Sequence, residues 1–345
     1  MEHVNVAIVG MGIGRANGMG FVRSRRGRVA ALCDIAEERM RAFAAELPGP
    51  VKLYTDFKEL CQDPEIDAVF VGTPNQYHVP VALEAVRNGK HVMVTKPLAD
   101  SVEAARALVE AAEAAGVVNM MSLSTRFDPH TQYIGRRVQE GMFGEVYYGR
   151  ARSVRRSGIP SWSLGFVQRG GGAFRDMGVH CLDAAWWMMG MPRPVSVSGV
   201  AGARFGPRGL GFWDYKPQPE LGAQYAADDY AGGFIRFANG AGLQVESFWA
   251  SHQPEEFQME IFGTEAGARY KPLTIYQTCD GAPVDLTVTL PKGPGIWEII
   301  ADHFCDCILD GVACQAPLRH GLIVQEMMEA LLESAELGRE VQLGA

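Results

Sequence analysis

Hydrophobic and polar positions follow two different rhythms along the chain. In the first third, short apolar runs rich in β-branched residues alternate with stretches of helical character. The runs lie at 4–9, 29–33, 68–72 and 91–94, and 117–122 could supply one more. Helix-like segments fill 36–47 and 80–88, and another at 101–115 follows the fourth run. Near-continuous apolar strands separated by helices predict a doubly wound parallel sheet covered on both faces.

Beyond about residue 123 the rhythm changes. Residues 172–189 read as one helix, and 195–200, 230–237, 242–247, 258–262 and 284–290 read as strands. Ala238-Asn239-Gly240 between two of them is a short-hairpin signal. Strands joined by hairpins predict a large, mostly antiparallel sheet, which with helices makes an α+β domain. Two helices, 297–309 and 318–337, close the chain; the second carries Leu322, Ile323, Met327, Leu331 and Ala335 at helical spacing. The expectation is therefore two domains, 1–122 and 123–345. The segment 204–227 is irregular, with Phe205, Phe212, Trp213 and Tyr215 among Pro207, Pro217 and Pro219. It reads equally as a plain surface loop and as a lid or oligomer arm.

Composition narrows the function. The chain has 345 residues, 47% hydrophobic and 21% charged, with a net charge of −8. This excludes disorder and coiled coil for the whole chain and does not point to a nucleic-acid or anionic-membrane partner. The local cluster Arg152, Arg155 and Arg156 could still bind something small. The seven cysteines are odd in number and scattered without a CxxC pair, so reduced thiols are expected and no metal site. The amino terminus lacks the features of a signal peptide, and no apolar run approaches the roughly 20 residues that span a membrane. A cytoplasmic location is the expectation.

Candidate chemistry begins directly after the first strand, at Gly10-Met11-Gly12-Ile13-Gly14-Arg15. A glycine turn opening a helix presents free N–H groups and a positive dipole end to a pyrophosphate. The strict G-x-G-x-x-G spacing is not met, because position 15 is Arg. Asp34, at the end of the second strand, is placed to accept hydrogen bonds from the ribose hydroxyls of NAD. The alternative is a glycine-rich turn in some other α/β fold. Asp34 would repel the 2′-phosphate of NADP and Ile35 brings no positive charge, so NAD is favoured; Arg39 keeps NADP open. The third strand runs into Thr73-Pro74-Asn75, followed by His78, at the strand end where such sheets bind ligands. Asn75 could instead cap the next helix, and His78 could lie on its surface. The fourth strand ends in Thr95-Lys96-Pro97, where Lys96 could hydrogen-bond a substrate hydroxyl or be an ordinary solvated lysine.

In the second half, Asp176 and His180 follow Gly170-Gly171-Gly172 and are four residues apart, so a helix places them on one face. A histidine with a carboxylate one turn away is equipped to remove a hydroxyl proton near neutral pH. Asp183, three residues on, is a candidate to orient the imidazole from its other side. An i,i+4 pair alone is more often structural, but the glycines ahead would let the helix start approach a ligand or another backbone. Cys181 points about a quarter-turn away from His180 and is discounted as a nucleophile.

This ordered set resembles the Gfo/Idh/MocA family of NAD(P)-dependent oxidoreductases over essentially the whole chain. Arg126-Phe127-Asp128-Pro129, Ile235-Arg236-Phe237-Ala238-Asn239-Gly240 and the closing 334–341 segment add to it. The resemblance implies a Rossmann domain followed by a domain whose open sheet makes a homo-oligomer, a dimer or tetramer. It implies substrates that are sugars, cyclitols or related polyols. By it, Lys96 is the lysine of a Glu-Lys-Pro motif, and Asp176 and His180 are the catalytic pair. Gly10, Gly12, Ile13, Gly14, Arg15, Asp34, Thr73, Pro74, Asn75, His78, Thr95, Lys96 and Pro97 then meet the cofactor. Lys96, Asp176 and His180 meet the substrate, with Arg126, Arg152, Arg155, Trp162 and the 204–227 aromatics as specificity candidates. Thr95 stands where the family has Glu, and Ser124 where many relatives carry Asn. The reaction implied is hydride transfer at a secondary carbinol carbon. Two alternatives are a redox-neutral enzyme that keeps its NAD while cleaving or epimerising a sugar, and a nucleotide-sensing protein without catalysis.

Overall fold

The runs that lack alternation form the inner strands of a parallel sheet. The computed structural model describes residues 2–344, which divide into two units: 2–127 with 292–323, and 128–291 with 324–344. In the first unit the order is β1 (Val4–Val9), α1 (Ile13–Arg23), β2 (Gly27–Cys33), α2 (Glu37–Ala44), β3 (Lys52–Tyr54) and α3 (Phe57–Gln62). It continues through β4 (Ala68–Val71), α4 (His78–Arg87), β5 (His91–Val94), α5 (Val102–Ala114) and β6 (Asn119–Met121). The six strands lie in the order β3-β2-β1-β4-β5-β6 and run parallel. Connections turn in opposite directions on either side of β1 and β4, the place where a doubly wound sheet opens a crevice at its carboxyl ends. Gly10 and Gly72 follow those two strands. The pattern did not predict β3, a three-residue edge strand with exposed Lys52 and Leu53, or the short α3 behind it.

The second unit contains α6 (Pro129–Gln139), β7 (Val146–Val154), α7 (Leu164–Val167), a π-helical turn (Phe174–Gly178) and α8 (Val179–Met188). Then come β8 (Pro194–Gly202), α9 (Pro219–Ala223), β9 (Tyr230–Phe237), β10 (Gly242–Phe248), β11 (Glu256–Gly263), β12 (Ala266–Arg269), β13 (Thr274–Cys279) and β14 (Ala282–Thr287). The chain ends in α10 (Ile296–Asp310), α11 (Leu318–Leu337) and β15 (Val341–Gln342). The nine-stranded sheet has the order β14-β13-β12-β11-β7-β10-β9-β8-β15. Its pairs are antiparallel, with β7 and β10 running parallel. Helix α8 packs on one face over buried Ala151, Val245 and Ile261. The other face shows Tyr148 against Phe234 and Phe262, Tyr230 stacked on Phe248, and the pairs Arg150–Glu260 and Arg152–Glu256.

Two expectations change. Residues 292–323 return to the first unit instead of following a single boundary near 122. The apolar face of α10 packs on α1, with Phe304 edge-on to Phe21 at 6.3 Å, while Asp302 accepts from Ser24 Oγ at 2.7 Å. Sequence order cannot show such a return. The 204–227 segment is also not a plain surface loop. Phe212 is fully buried with Ile159, Val167, Met177 and Trp249. Buried Asp229 accepts the N–H groups of Arg204, Phe205 and Gly206, which anchors the start of the insertion. Among the described residues no helix is long and apolar enough to cross a membrane.

Candidate functional site

The cradle in the first unit is built largely from backbone. Gly10 has φ +90, and a Cβ there would lie 2.6 Å from the carbonyl oxygen of Gly72, so the two strand-end loops meet only through glycine. A Cβ on Gly12 would enter open space. Gly12 also caps α1 without a side-chain hydrogen bond, and the first turn holds no acid. Uncapped N–H groups beside open space are what an incoming pyrophosphate requires. Asp34 is held by the N–H groups of Met11 (2.7 Å) and Ala36 (2.9 Å), which leaves each carboxylate oxygen able to accept a ribose hydroxyl. Thr73 Oγ1 is buried with no partner, a polar atom waiting for one. These residues fit a dinucleotide.

Other expected cofactor residues take different places. Ile13 is exposed beside the open space, and the Arg15 guanidinium forms an exposed pair with Glu46. Asn75 opens a 3-10 turn after Pro74, and its carbonyl accepts from His78 N. His78 is fully buried instead of lying on the helix surface. Its Nδ1 lies 2.7 Å from Pro97 O and its Nε2 2.8 Å from Thr73 O. The ring thereby braces the Thr73 loop against the Lys96-Pro97 turn. Burial lowers its pKa, while the two carbonyls act to raise it. Thr95 is buried at the end of β5, with its N–H on Val71 O, and Lys96 is half-buried beside it.

In the second unit, the helix expected from 172 begins as a π turn: the N–H of Val179 reaches back five residues to Phe174 O. Such turns mark places where a helix is re-aimed locally. The glycines ahead of it make room for protein. Gly172 has φ +113, and a Cβ there would collide with the Asp228 carboxylate. Asp228 accepts from Phe174 N at 3.0 Å, and burial pushes its carboxyl up to about 6. Asp176 rides on the π turn and accepts from the indole N–H of fully buried Trp249 at 3.1 Å.

From Trp249 a closed circuit of side chains can be traced. Its ring meets Phe166 at 6.5 Å, Phe166 meets Trp162 at 5.9 Å, and Trp162 meets Trp213 at 6.4 Å. The Arg155 guanidinium lies 4.7 Å over Trp213, and its attraction to Asp176 offsets part of the burial that lowers its pKa. Trp162 and Trp213 keep 65% and 51% of their surface exposed, with the Arg155 guanidinium over one face of Trp213. His180 is half-buried one turn after Asp176, at the start of α8. Cys181 is buried against Gly178 O with its thiol pushed up to about 12, which disqualifies it as a nucleophile. Asp183 is buried in α8.

Two expected specificity residues lie elsewhere. Arg126 is fully buried in the first unit, donating to Gln315 O at 2.6 Å beside His320. Arg152 pairs with Glu256 in a groove of about 710 Å³ on the open face of the larger sheet. Sequence reasoning missed Trp249 and Asp228. No local pattern sets Trp249 apart from an ordinary core tryptophan, whereas the Asp228-Asp229 pair just before a strand is a signal that could have been read.

A family model described as an oxidoreductase family with an NAD-binding Rossmann fold matches residues 4–123, and that family's C-terminal domain model matches residues 131–269. The chain belongs to the Gfo/Idh/MocA family. It is similar to D-glucoside 3-dehydrogenase of Escherichia coli strain K12, with 31% identity covering 91% of this chain and 90% of that relative. It is similar to scyllo-inositol 2-dehydrogenase (NAD(+)) of Bacillus subtilis strain 168, with 29% identity covering 90% and 88%. A solved levoglucosan dehydrogenase in complex with NADH and levoglucosan shares the fold, with a TM-score of 0.84 at 23% identity over 99% of this chain and 100% of that one. As in the family, the first unit binds NAD, and the protein is an oxidoreductase.

Proposed function

We infer that the protein oxidises a secondary hydroxyl of a sugar, cyclitol or glycoside, with NAD as hydride carrier. The observation that carries this reading is the circuit through Asp176, in which exposed Trp162 and Trp213 are linked through the Arg155 guanidinium and buried Trp249 to a carboxylate. The C–H faces of a pyranose or cyclitol ring stack on indole, and its hydroxyls hydrogen-bond to charged groups. The relatives named for D-glucosides and scyllo-inositol act on substrates of this type.

In this reading Gly10, Gly12, Asp34 and Thr73 hold the dinucleotide, which supplies the hydride acceptor when bound. His180 takes the hydroxyl proton as general base. Lys96 donates a hydrogen bond to the oxygen on which charge develops. Asp176, aimed by Trp249, holds a neighbouring hydroxyl and favours the imidazolium that forms on His180. We also assign assembly as a homo-oligomer to the open face of the larger sheet, whose exposed aromatic and paired charged residues suit a second copy. The cysteines are free and NAD is the cofactor, which supports a cytoplasmic enzyme.

The test is to mix the purified protein with NAD and a panel of cyclitols, aldoses and glycosides, following the absorbance of reduced nicotinamide. A sustained rise with a cyclic polyol is expected. A flat trace across the panel, with NADH binding intact, would contradict a dissociable dehydrogenase acting on these substrates.

A further inference from the structure

The first unit holds a second cluster of reactive side chains that the dehydrogenase reading leaves unused. His303 and Cys307 are one turn apart on α10, and Cys314 lies in the loop that follows the left-handed Gly311 cap. The ligand atoms of all three lie within 4.8 Å of one another, with His303 Nε2 3.5 Å from Cys307 Sγ. Their spacing in the chain, four residues and then seven, matches no common zinc motif, which is why scattered thiols were expected.

The tautomer of His303 suits a cation. The N–H of Gln315 donates to His303 Nε2 at 2.9 Å. Nε2 is therefore the unprotonated nitrogen, the tautomer a metal ligand needs. The hydrogen bond from Cys307 pulls the Cys314 thiol below its ordinary range, against its burial.

We propose that His303 Nε2, Cys307 Sγ and Cys314 Sγ bind a zinc ion, with water as the fourth ligand. Two thiolates and an imidazole select a borderline-soft metal over magnesium, calcium or manganese. Tetrahedral zinc holds such atoms roughly 3.5 to 3.8 Å apart, given bonds of about 2.0 to 2.3 Å, so side-chain rotation suffices to close the site. The ion displaces the thiol protons and takes the lone pair now shared with Gln315, so zinc binding releases protons. No electron moves. The site is a clip: it ties the loop to α10. That loop in turn holds β6 through Met121 N–H on Ala316 O at 2.8 Å, and holds buried Arg126 through Gln315 O.

The test is titration of Co²⁺ alone, as a spectroscopic probe, into the reduced full-length protein freed of metal. Near-ultraviolet thiolate-to-cobalt charge transfer with tetrahedral visible bands is expected at one equivalent, displaced by Zn²⁺, with release of protons and a raised Tm. Cys314→Ser should abolish the charge-transfer band and Cys279→Ser should leave it intact. Absence of the band in excess Co²⁺, or its survival in a folded Cys314→Ser variant, overturns the proposal. If Cys314→Ser does not fold, alkylation of the wild-type protein decides. Zn²⁺ should protect Cys307 and Cys314 but not exposed Cys279, and equal labelling with and without Zn²⁺ contradicts the site.

Discussion

In the first unit the cofactor cradle we propose consists of the backbone of residues 10–14 and a carboxylate fixed on two N–H groups, whereas in the second unit Asp176 belongs to a circuit of side chains drawn from five other places in the chain. A backbone cradle depends on glycines and on where two strands end, so it tolerates little change and serves one ligand. A ring of side chains drawn from 155, 162, 166, 213 and 249 can be altered one member at a time without disturbing the sheet beneath. That division lets one fold keep NAD while its substrate varies.

The most severe way to break the contrast is Gly10→Ala. The φ of +90 and the approach to Gly72 O leave no room for a Cβ, so the strand-end loops must part. NADH affinity should fall on the order of a hundredfold, about 3 kcal/mol, in a fluorescence titration. An unchanged Kd would show that the backbone contact is dispensable.

Next comes a pH effect confined to the second unit. Burial raises the Asp228 carboxyl from 3.8 to about 6 in the folded protein. The folded state thus favours the protonated acid, contributing stability that is full below pH 4 and lost as pH rises through 6. Asp228→Asn keeps an acceptor for Phe174 N and should remove this loss, on the order of 3 kcal/mol, in denaturant melts at pH 4 and pH 7.5. Parallel pH curves for wild type and variant would assign the dependence to other groups.

A smaller effect isolates the aiming of Asp176. Trp249→Phe keeps the ring and removes the N–H, a hydrogen bond to a charged group worth about 1.5–3 kcal/mol. kcat/KM should drop tenfold or more while NADH affinity holds. A variant with wild-type kcat/KM would make the indole a packing residue only. The smallest change is Trp213→Ala, which removes one stacking face and the partner of Arg155, about 0.5–1 kcal/mol. KM for the sugar should rise severalfold with kcat nearly constant, and a fall in kcat alone would place Trp213 in the chemistry instead.

The same division explains what the sequence disclosed. The strands at 4–9 and 91–94 are found where the apolar runs predicted them, and the 318–337 helix matches its periodicity. The glycine loop and Asp34 were legible because adjacent residues or strand ends carry the chemistry. β7 was not, although it lies near the middle of its sheet. Its inner positions are Gly149, Ala151 and Ser153, too small and polar to register as an apolar alternation, while Arg152 read as part of a basic cluster with Arg155 and Arg156. Trp249, Phe166 and Trp213 approach Asp176 only through tertiary folding. Cys314 reaches His303 through a turn at Gly311 that spacing rules do not describe. Arg126, beside a family landmark, looked available for substrate but is consumed by the loop at 315.

The most direct test of the account compares two quantities in one variant, His180→Ala: NADH affinity, and turnover on the best cyclic polyol from the panel. If the first unit binds and the second performs the proton transfer, turnover should fall by about 10² to 10⁴ while NADH affinity stays within about threefold of wild type. Turnover at the wild-type level, or a parallel collapse of NADH affinity, would contradict the assignment of proton transfer to His180.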